Sequence, residues 1–452
     1  MITIINKIFL LGYIIFRAES GTVFFNRRRV KMKLKLGLLA VMALALLVGA
    51  GPAFSADTQE LEKKIDLLSD EVDDLKNRSM GGGTTDHNRV SVHGYGEMHF
   101  NRGTQAGGTT EIDNHRFVIG VHALLTDWIH LNAEIDFEHA AQELEFELGY
   151  LDFLLDPKFN VRAGVMLAPV GFLNENHEPN LFWTVERPLL QDRLIPTTWN
   201  GAGAGFFGTP MDGVNYRLYA MNSLQSITRD STKDGGGSGG SGGSGAAFTA
   251  DKGIRAGKRQ ANELLANDFS VFARVELTKL FPGLQVGFSV VNGDTTQGII
   301  EEGGNMTLLE ADVRYRWNWF DMNATIVNTD IDDAAAMNTF CAAGGAIDDC
   351  AGGIASNNFG YNVQAGIHLP QLLGWKTSHD IIPHFMFERV RTQDEMPAGT
   401  AADESFNRNE IYTFGVAYLP IPAVAIKVDH THIKLGNNQS TDKINLGIAY
   451  MY

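Results

Sequence analysis

From Val90 onward apolar residues recur at every second position, the period of a β-strand. The C-terminal segment shows it best. Ile444, Leu446, Ile448, Tyr450 and Tyr452 alternate with Lys443, Asn445, Gly447, Ala449 and Met451. Tyr412, Phe414, Val416 and Tyr418 repeat the pattern opposite Thr413, Gly415 and Ala417, and Leu131, Ala133, Ile135 and Phe137 oppose Asn132, Glu134, Asp136 and Glu138. Alternation of this kind also suits a soluble sandwich with one wet face. Two features argue against that. The apolar faces end in Tyr315, Trp317, Tyr418, Tyr450 and Tyr452, and the opposite faces carry acids and arginines along their length, as a water-filled lumen would require. The predicted class is all-β: a transmembrane antiparallel β-barrel.

About sixteen such segments can be counted, an even number within the range of these barrels. They lie near 90–102, 113–124, 128–139, 143–154, 158–167, 201–208, 213–222 and 268–280, then 284–292, 305–318, 319–329, 358–369, 379–391, 409–419, 422–434 and 441–452. The connections sort by parity. Those after even-numbered segments are mostly short, such as Leu125–Asp127 and Phe281–Gly283. Those after odd-numbered segments are mostly long: 168–200, 223–267, 330–357 and 392–408. Short turns at one end and long loops at the other are the pattern of an outer-membrane barrel. The longest loop holds Gly235–Gly245, a flexible tract.

Composition agrees. A mean hydropathy of -0.09 excludes a polytopic helical membrane protein, whose spans each need about 20 mainly apolar residues. A net charge of -16 argues against nucleic acid as a partner. Residues 1–56 read as an export segment: Met32-Lys33-Leu34-Lys35, the apolar run Leu36–Val48 and a small-residue cleavage site near Ser55 or Ala56. Met32 is the expected translation start, with 1–31 a misassigned extension. In 57–80, Leu61, Ile65, Leu68, Val72 and Leu75 form a heptad seam, read as a short periplasmic coiled coil that joins several chains. Residues 81–89 are a linker, and 90–452 the barrel. Cys341 and Cys350, the only cysteines, could close a disulfide loop in an oxidising compartment.

The connection 168–200 is unlike the others. It carries Phe172, Leu173, Leu181, Phe182, Trp183, Leu189, Leu190, Leu194 and Ile195, too many apolar residues for a loop in water. Folded into the barrel, it would narrow the pore, with Glu175, His177, Glu178, Glu186, Arg187, Asp192 and Arg193 setting the local field. Alternation predicts lumen acids Glu97, Glu134, Asp136, Glu138, Glu143, Glu145, Glu147, Glu276, Glu310, Asp312, Glu388 and Asp429. The predicted lumen bases are Arg116, Arg162, Arg217, Arg274, Arg314, Arg316, Lys427 and Lys443. The excess of acids predicts a mildly cation-favouring field.

The signal peptide, coiled coil, strand count, apolar fifth loop and aromatic terminal strand together resemble a Gram-negative trimeric porin. The run Gly164-Val165-Met166-Leu167-Ala168-Pro169-Val170-Gly171-Phe172, with Glu186-Arg187-Pro188 further on, is similar to the phosphate-selective porin O/P family. The resemblance implies a homotrimer in the outer membrane that passes small hydrophilic solutes or ions, the coiled coil lying in the periplasm. It also implies that strand 441–452 is recognised by the barrel-assembly machinery. The arginine ladder and lysine cluster behind phosphate selectivity in that family have no counterpart here.

No catalytic residues, cofactor or metal are expected. His430 and His432 share a strand face, but no acid at ligand spacing completes a site, and no nucleophile-elbow, Walker or dinucleotide motif occurs. The alternative to a channel is a plugged structural or adhesive barrel.

Overall fold

The computed structural model describes residues 89–105, 108–228, 248–259, 265–343 and 352–452. The expected signal peptide, coiled coil and glycine tract, and the linker up to residue 88, lie outside these residues. Cys341 is disulfide-bonded, and Cys350 lies outside the described residues.

Sixteen antiparallel strands close into a barrel. The first five are β1 (Val90–Gly103), β2 (Thr110–Leu124), β3 (Ile129–Glu138), β4 (Glu143–Asp156) and β5 (Phe159–Leu167). Next come β6 (Asn200–Met211), β7 (Val214–Asn222), β8 (Phe269–Phe281), β9 (Leu284–Asp294) and β10 (Asn305–Trp317). The last six are β11 (Phe320–Ile331), β12 (Asn357–Ile367), β13 (Asp380–Glu395), β14 (Arg408–Ile421), β15 (Val424–Leu435) and β16 (Ser440–Met451). Each strand pairs with its sequence neighbours, and β16 returns to β1 with Met98 opposite Ile448 and Asn101 opposite Asn445.

The two ends differ as expected. Asp212-Gly213 and Pro282-Gly283 make tight turns in which the glycines take φ of 76° and 75°, a conformation that side chains resist. A Cβ on Gly283 would also sit 2.0 Å from the Arg316 carbonyl oxygen. The parity has exceptions: 139–142 and 436–439, after β3 and β15, are short, while 368–379, after β12, is long and holds a helical turn, Leu369–Leu373, with Pro370 in its first turn and Gly374 closing it at φ 65°.

The radial polarity is inside-out. On β16, Ile444, Leu446 and Ile448 are 41%, 45% and 44% exposed, while Asn445 between them is buried. Phe414, Val271 and Phe288 are exposed likewise, whereas Arg274, Glu310, Asp312, Glu388 and Lys427 are enclosed. An apolar outside around a charged inside fits lipid and not water. Trp128, Trp317, Trp319 and Trp375 gather at the short-turn end, where an aromatic girdle belongs.

The seam between first and last strands has its own packing. Glycine at 94 and 96 on β1 leaves room for the rings of Tyr452 and Tyr450, and a Cβ at either glycine would fall 2.6 Å from the tyrosine hydroxyl. Tyr452 Oη reaches across β1 and donates to the Val118 carbonyl of β2 at 3.0 Å.

Two β-bulges re-aim side chains. Between Glu97 and His99 the register slips so that Asn114 and His115 of β2 oppose Met98 alone. Between Glu134 and Ile135 it slips again, with Glu147 the extra residue on β4. Beyond each bulge the inward face changes parity.

Candidate functional site

The segment after β5 turns back into the barrel. Its first turn, Gly171–Asn174, starts with Gly171 at φ 68°, whose N–H donates to Glu310 Oε2 at 3.2 Å and Ser289 Oγ at 3.3 Å. Val185 N–H donates to Asp429 Oδ2 at 2.6 Å. The N–H groups of Leu189 and Leu190 donate to the two oxygens of Glu388 at 3.1 and 3.0 Å. Lys427 Nζ donates to the carbonyls of Pro179 and Thr184. The loop is thus hydrogen-bonded to β9, β10, β13 and β15, through backbone donors that a free loop would leave to water.

Apolar packing completes the docking. Val170, Leu190, Leu194, Ile195 and Trp199 join one buried cluster with Tyr219, Phe272, Val291, Leu308, Val327, Val390 and Ile411 of the wall. This corrects the expectation that the inward faces are charged along their whole length. On β7 to β14 the ends nearer the long loops are apolar inside, because the loop covers them. Residues 248–259 contribute to the same enclosure. Phe248 and Ile254 are in that cluster, Lys258 Nζ donates to the Thr197 carbonyl at 3.3 Å, and Arg255 pairs with Asp192.

The charged loop residues are largely partnered. Glu175 pairs with Arg217 at 2.9 Å, itself bound to Glu276 at 2.9 Å. Glu186 meets His99 at 3.1 Å and Asn101 at 2.8 Å. Asp192 also pairs with Arg193 at 2.9 Å, and Arg187 donates to Thr197 and Thr198. Glu178 Oε2 is buried with no hydrogen-bond partner among the described residues. His177 lies 2.5 Å from Glu147 and 2.8 Å from the Tyr95 hydroxyl.

Burial alone would lower the His177 imidazole pKa, but the adjacent Glu147 carboxylate outweighs it and raises the pKa above its ordinary 6.5. A raised histidine stabilises the docked loop most below 6.5 and loses that contribution as pH climbs through the raised value. Amide exchange in residues 171–195 should therefore speed up in alkali beyond its intrinsic pH dependence. In His177→Gln that excess should vanish, and an excess of equal size in the variant would exclude this anchor.

The predicted wall residues form connected ion pairs. Arg274 reaches Glu276 at 3.0 Å, Glu310 at 3.2 Å and Asp312 at 2.7 Å, all enclosed. Arg116 pairs with Glu138 at 2.8 Å and lies 3.6 Å from Glu97 and 3.7 Å from Asp136. Arg162 pairs with Asp152 at 2.7 Å and stacks on Tyr150 at 3.9 Å. Glu134 lies 3.5 Å from His93. Three bases stand apart from these groups: Arg316 and Lys443 are exposed at opposite ends of the barrel, and Arg314 is exposed 5.0 Å from the Phe172 ring.

Tyr95, His99, His115, Tyr150 and Asp152 were missed as inward-facing. The first two share the parity of Glu97 and are legible from alternation, although neither carries a fixed formal charge. The others depend on the bulges, which alternation does not signal. The reading of His430 and His432 also needs correction: Asp442 of β16 lies 3.2 and 2.9 Å from them, because strand pairing sets it opposite His432.

The chain aligns with OmpF of Salmonella typhi, solved in complex with daunomycin, at TM-score 0.50 and 10% identity, covering 80% of this chain and 97% of that one. This is the porin fold. The outer membrane channel DcaP of Acinetobacter baumannii gives TM-score 0.49 and 10% identity over 82% of this chain and 100% of that chain. The anion-selective porin from Comamonas acidovorans gives 0.49 and 10% over 80% and 99%. An uncharacterized protein of Aquifex aeolicus (strain VF5) is 25% identical over 370 residues, 80% of each chain. No protein-family model matches. At these identities the porin likeness is one of fold alone.

Proposed function

We propose that the protein is an outer-membrane porin, a water-filled channel for passive diffusion of small hydrophilic solutes or ions, narrowed by the loop 168–200. The observation that carries this reading is the inside-out barrel with that loop hydrogen-bonded across its interior. Enclosed polar atoms support a hydrated lumen. Asp136 Oδ1, Thr325 Oγ1, Gln364 Nε2, Asn445 Oδ1 and both ring nitrogens of His384 have no hydrogen-bond partner among the described residues. Keeping each dry would cost about 1–3 kcal/mol. The porin parallel extends to a homotrimer in the outer membrane of a Gram-negative bacterium, assisted by the coiled-coil seam and assembled through strand 441–452.

The test is ion conductance of the purified protein in a planar bilayer. A second reading, a plugged barrel, is favoured by the apolar packing of Leu190, Leu194 and Trp199 against the wall, and a silent membrane with folded protein inserted would establish it.

For selectivity, Glu175, Glu178, Glu186 and Asp192 outnumber Arg187 and Arg193 on the loop. A weak cation preference follows, fading near 1 M salt as the Debye length falls to about 3 Å. Because Glu175 neutralises Arg217, the triple change Glu175→Gln, Glu178→Gln, Asp192→Asn should move the reversal potential toward anions. Strong anion selectivity of the wild type, with block by phosphate, would instead establish an oxyanion channel.

A further inference from the structure

The long-loop end of the β2–β4 wall carries a cluster that the channel reading does not use. The first bulge turns Asp113 and His115 of β2 inward. The connection after β3 then passes through three successive residues with positive φ, His139 at 49°, Ala140 at 56° and Ala141 at 67°, and brings the His139 ring back over β2. As a result one carboxylate oxygen, Asp113 Oδ2, lies 3.1 Å from His115 Nδ1 and 2.8 Å from His139 Nδ1.

We propose that this mouth binds one divalent transition-metal ion through Asp113, His115 and His139. The three ligand atoms lie within 4.8 Å of one another. Zinc–nitrogen and zinc–oxygen bonds of about 2.0–2.2 Å put ligand atoms roughly 3–3.5 Å apart, so modest side-chain shifts admit the ion. Two imidazoles with one carboxylate suit zinc, nickel or copper, whereas calcium and magnesium prefer oxygen alone. The side chains of His115, Asp113 and His139 are 30%, 31% and 38% exposed, which leaves an entry path and room for a water ligand.

A fourth protein ligand is at hand. Glu138, His139 and Glu143 form a second trio of possible ligands that shares His139. Glu138 is held by Arg116, but Glu143 Oε2 has no hydrogen-bond partner among the described residues. The site also touches the loop. The His115 ring stacks on His99 at 4.8 Å, and His99 bridges Glu97 at 2.9 Å and Glu186 at 3.1 Å. An ion fixing His115 would bear on that bridge.

The proposal stands whether or not the barrel conducts. Tag-free full-length protein in detergent micelles is titrated with Zn2+ by calorimetry and with Co2+ by its visible d–d absorption. We expect one Zn2+ per chain, a Co2+ spectrum of low coordination number, and at least about tenfold weaker binding in His115→Gln and His139→Gln. His139→Ala, in a turn outside the strands, tests the same site should His115→Gln misfold. The change His430→Gln with His432→Gln should leave binding as it was. Absence of saturable Zn2+ uptake by folded barrel would overturn the site. So would uptake that survives loss of both His115 and His139, or equal affinity for Ca2+.

Discussion

Leu446→Lys should cost about 2–4 kcal/mol of barrel stability, the depth-dependent price of a lysine on the lipid face near the bilayer midplane. Leu446 is 45% exposed on the outer face halfway along β16, with aromatic residues marking the membrane edge at Tyr450 and Tyr452. Ile448→Lys, nearer that edge, should cost less, toward 1 kcal/mol, because depth sets the penalty. Asn132→Lys on β3 points into the partly exposed lumen and should cost least of the three. Urea titration of the folded barrel in lipid vesicles, followed by heat-modifiable gel mobility, gives the order directly. Equal losses at positions 446 and 132 would mean that the inner and outer faces are misassigned. Gly447 is a poor control despite its inward parity, because a Cβ there would stand 3.0 Å from Val185 of the docked loop.

The second large effect is expected from Glu388→Ala combined with Asp429→Ala. These carboxylates accept the N–H groups of Leu189, Leu190 and Val185. Without them three enclosed donors lose their acceptors, at about 1–3 kcal/mol each while they stay dry. Each such loss lowers the ratio of docked to undocked loop by about 5- to 140-fold, since 1.4 kcal/mol is one power of ten. The strands do not depend on these contacts, so the barrel should still form. Single-channel conductance should rise and open-channel noise should grow. Wild-type conductance and noise in a folded double variant would show that the loop is held elsewhere or does not narrow the pore.

Much of this architecture is legible in the sequence because most of a barrel wall obeys one rule, period two, with its outer face turned to lipid all the way round. The terminal strand predicted at 441–452 is observed at Ser440–Met451, and the others differ by a few residues at their ends. The apolar loop was legible for a related reason: residues such as Leu190 and Ile195 need shelter, and the barrel interior is the nearest. What escaped the sequence is what breaks the rule. The two bulges move Asp113, His115, Tyr150 and Asp152 to the inside, and a one-residue slip leaves no compositional trace. The apolar inner wall of β7 to β14 escaped as well, because Tyr219, Phe272 and Leu308 differ from lipid-facing residues only in parity. Pairing of loop charges with wall charges, as in Glu175 with Arg217, depends on contacts between distant segments that no local pattern encodes.

The tyrosines at the seam bear on how the chain finishes folding. Closing a barrel requires its first and last strands to meet in one alignment out of several that satisfy backbone hydrogen bonding equally well. Tyr450 and Tyr452 fit only over positions 96 and 94, the bare spots of β1, and Tyr452 then reaches a carbonyl one strand further on. Sliding β16 by two residues keeps its inner and outer faces but sets at least one ring against a residue with a side chain. The closing joint is keyed, and the key is cut into the strand that completes the ring.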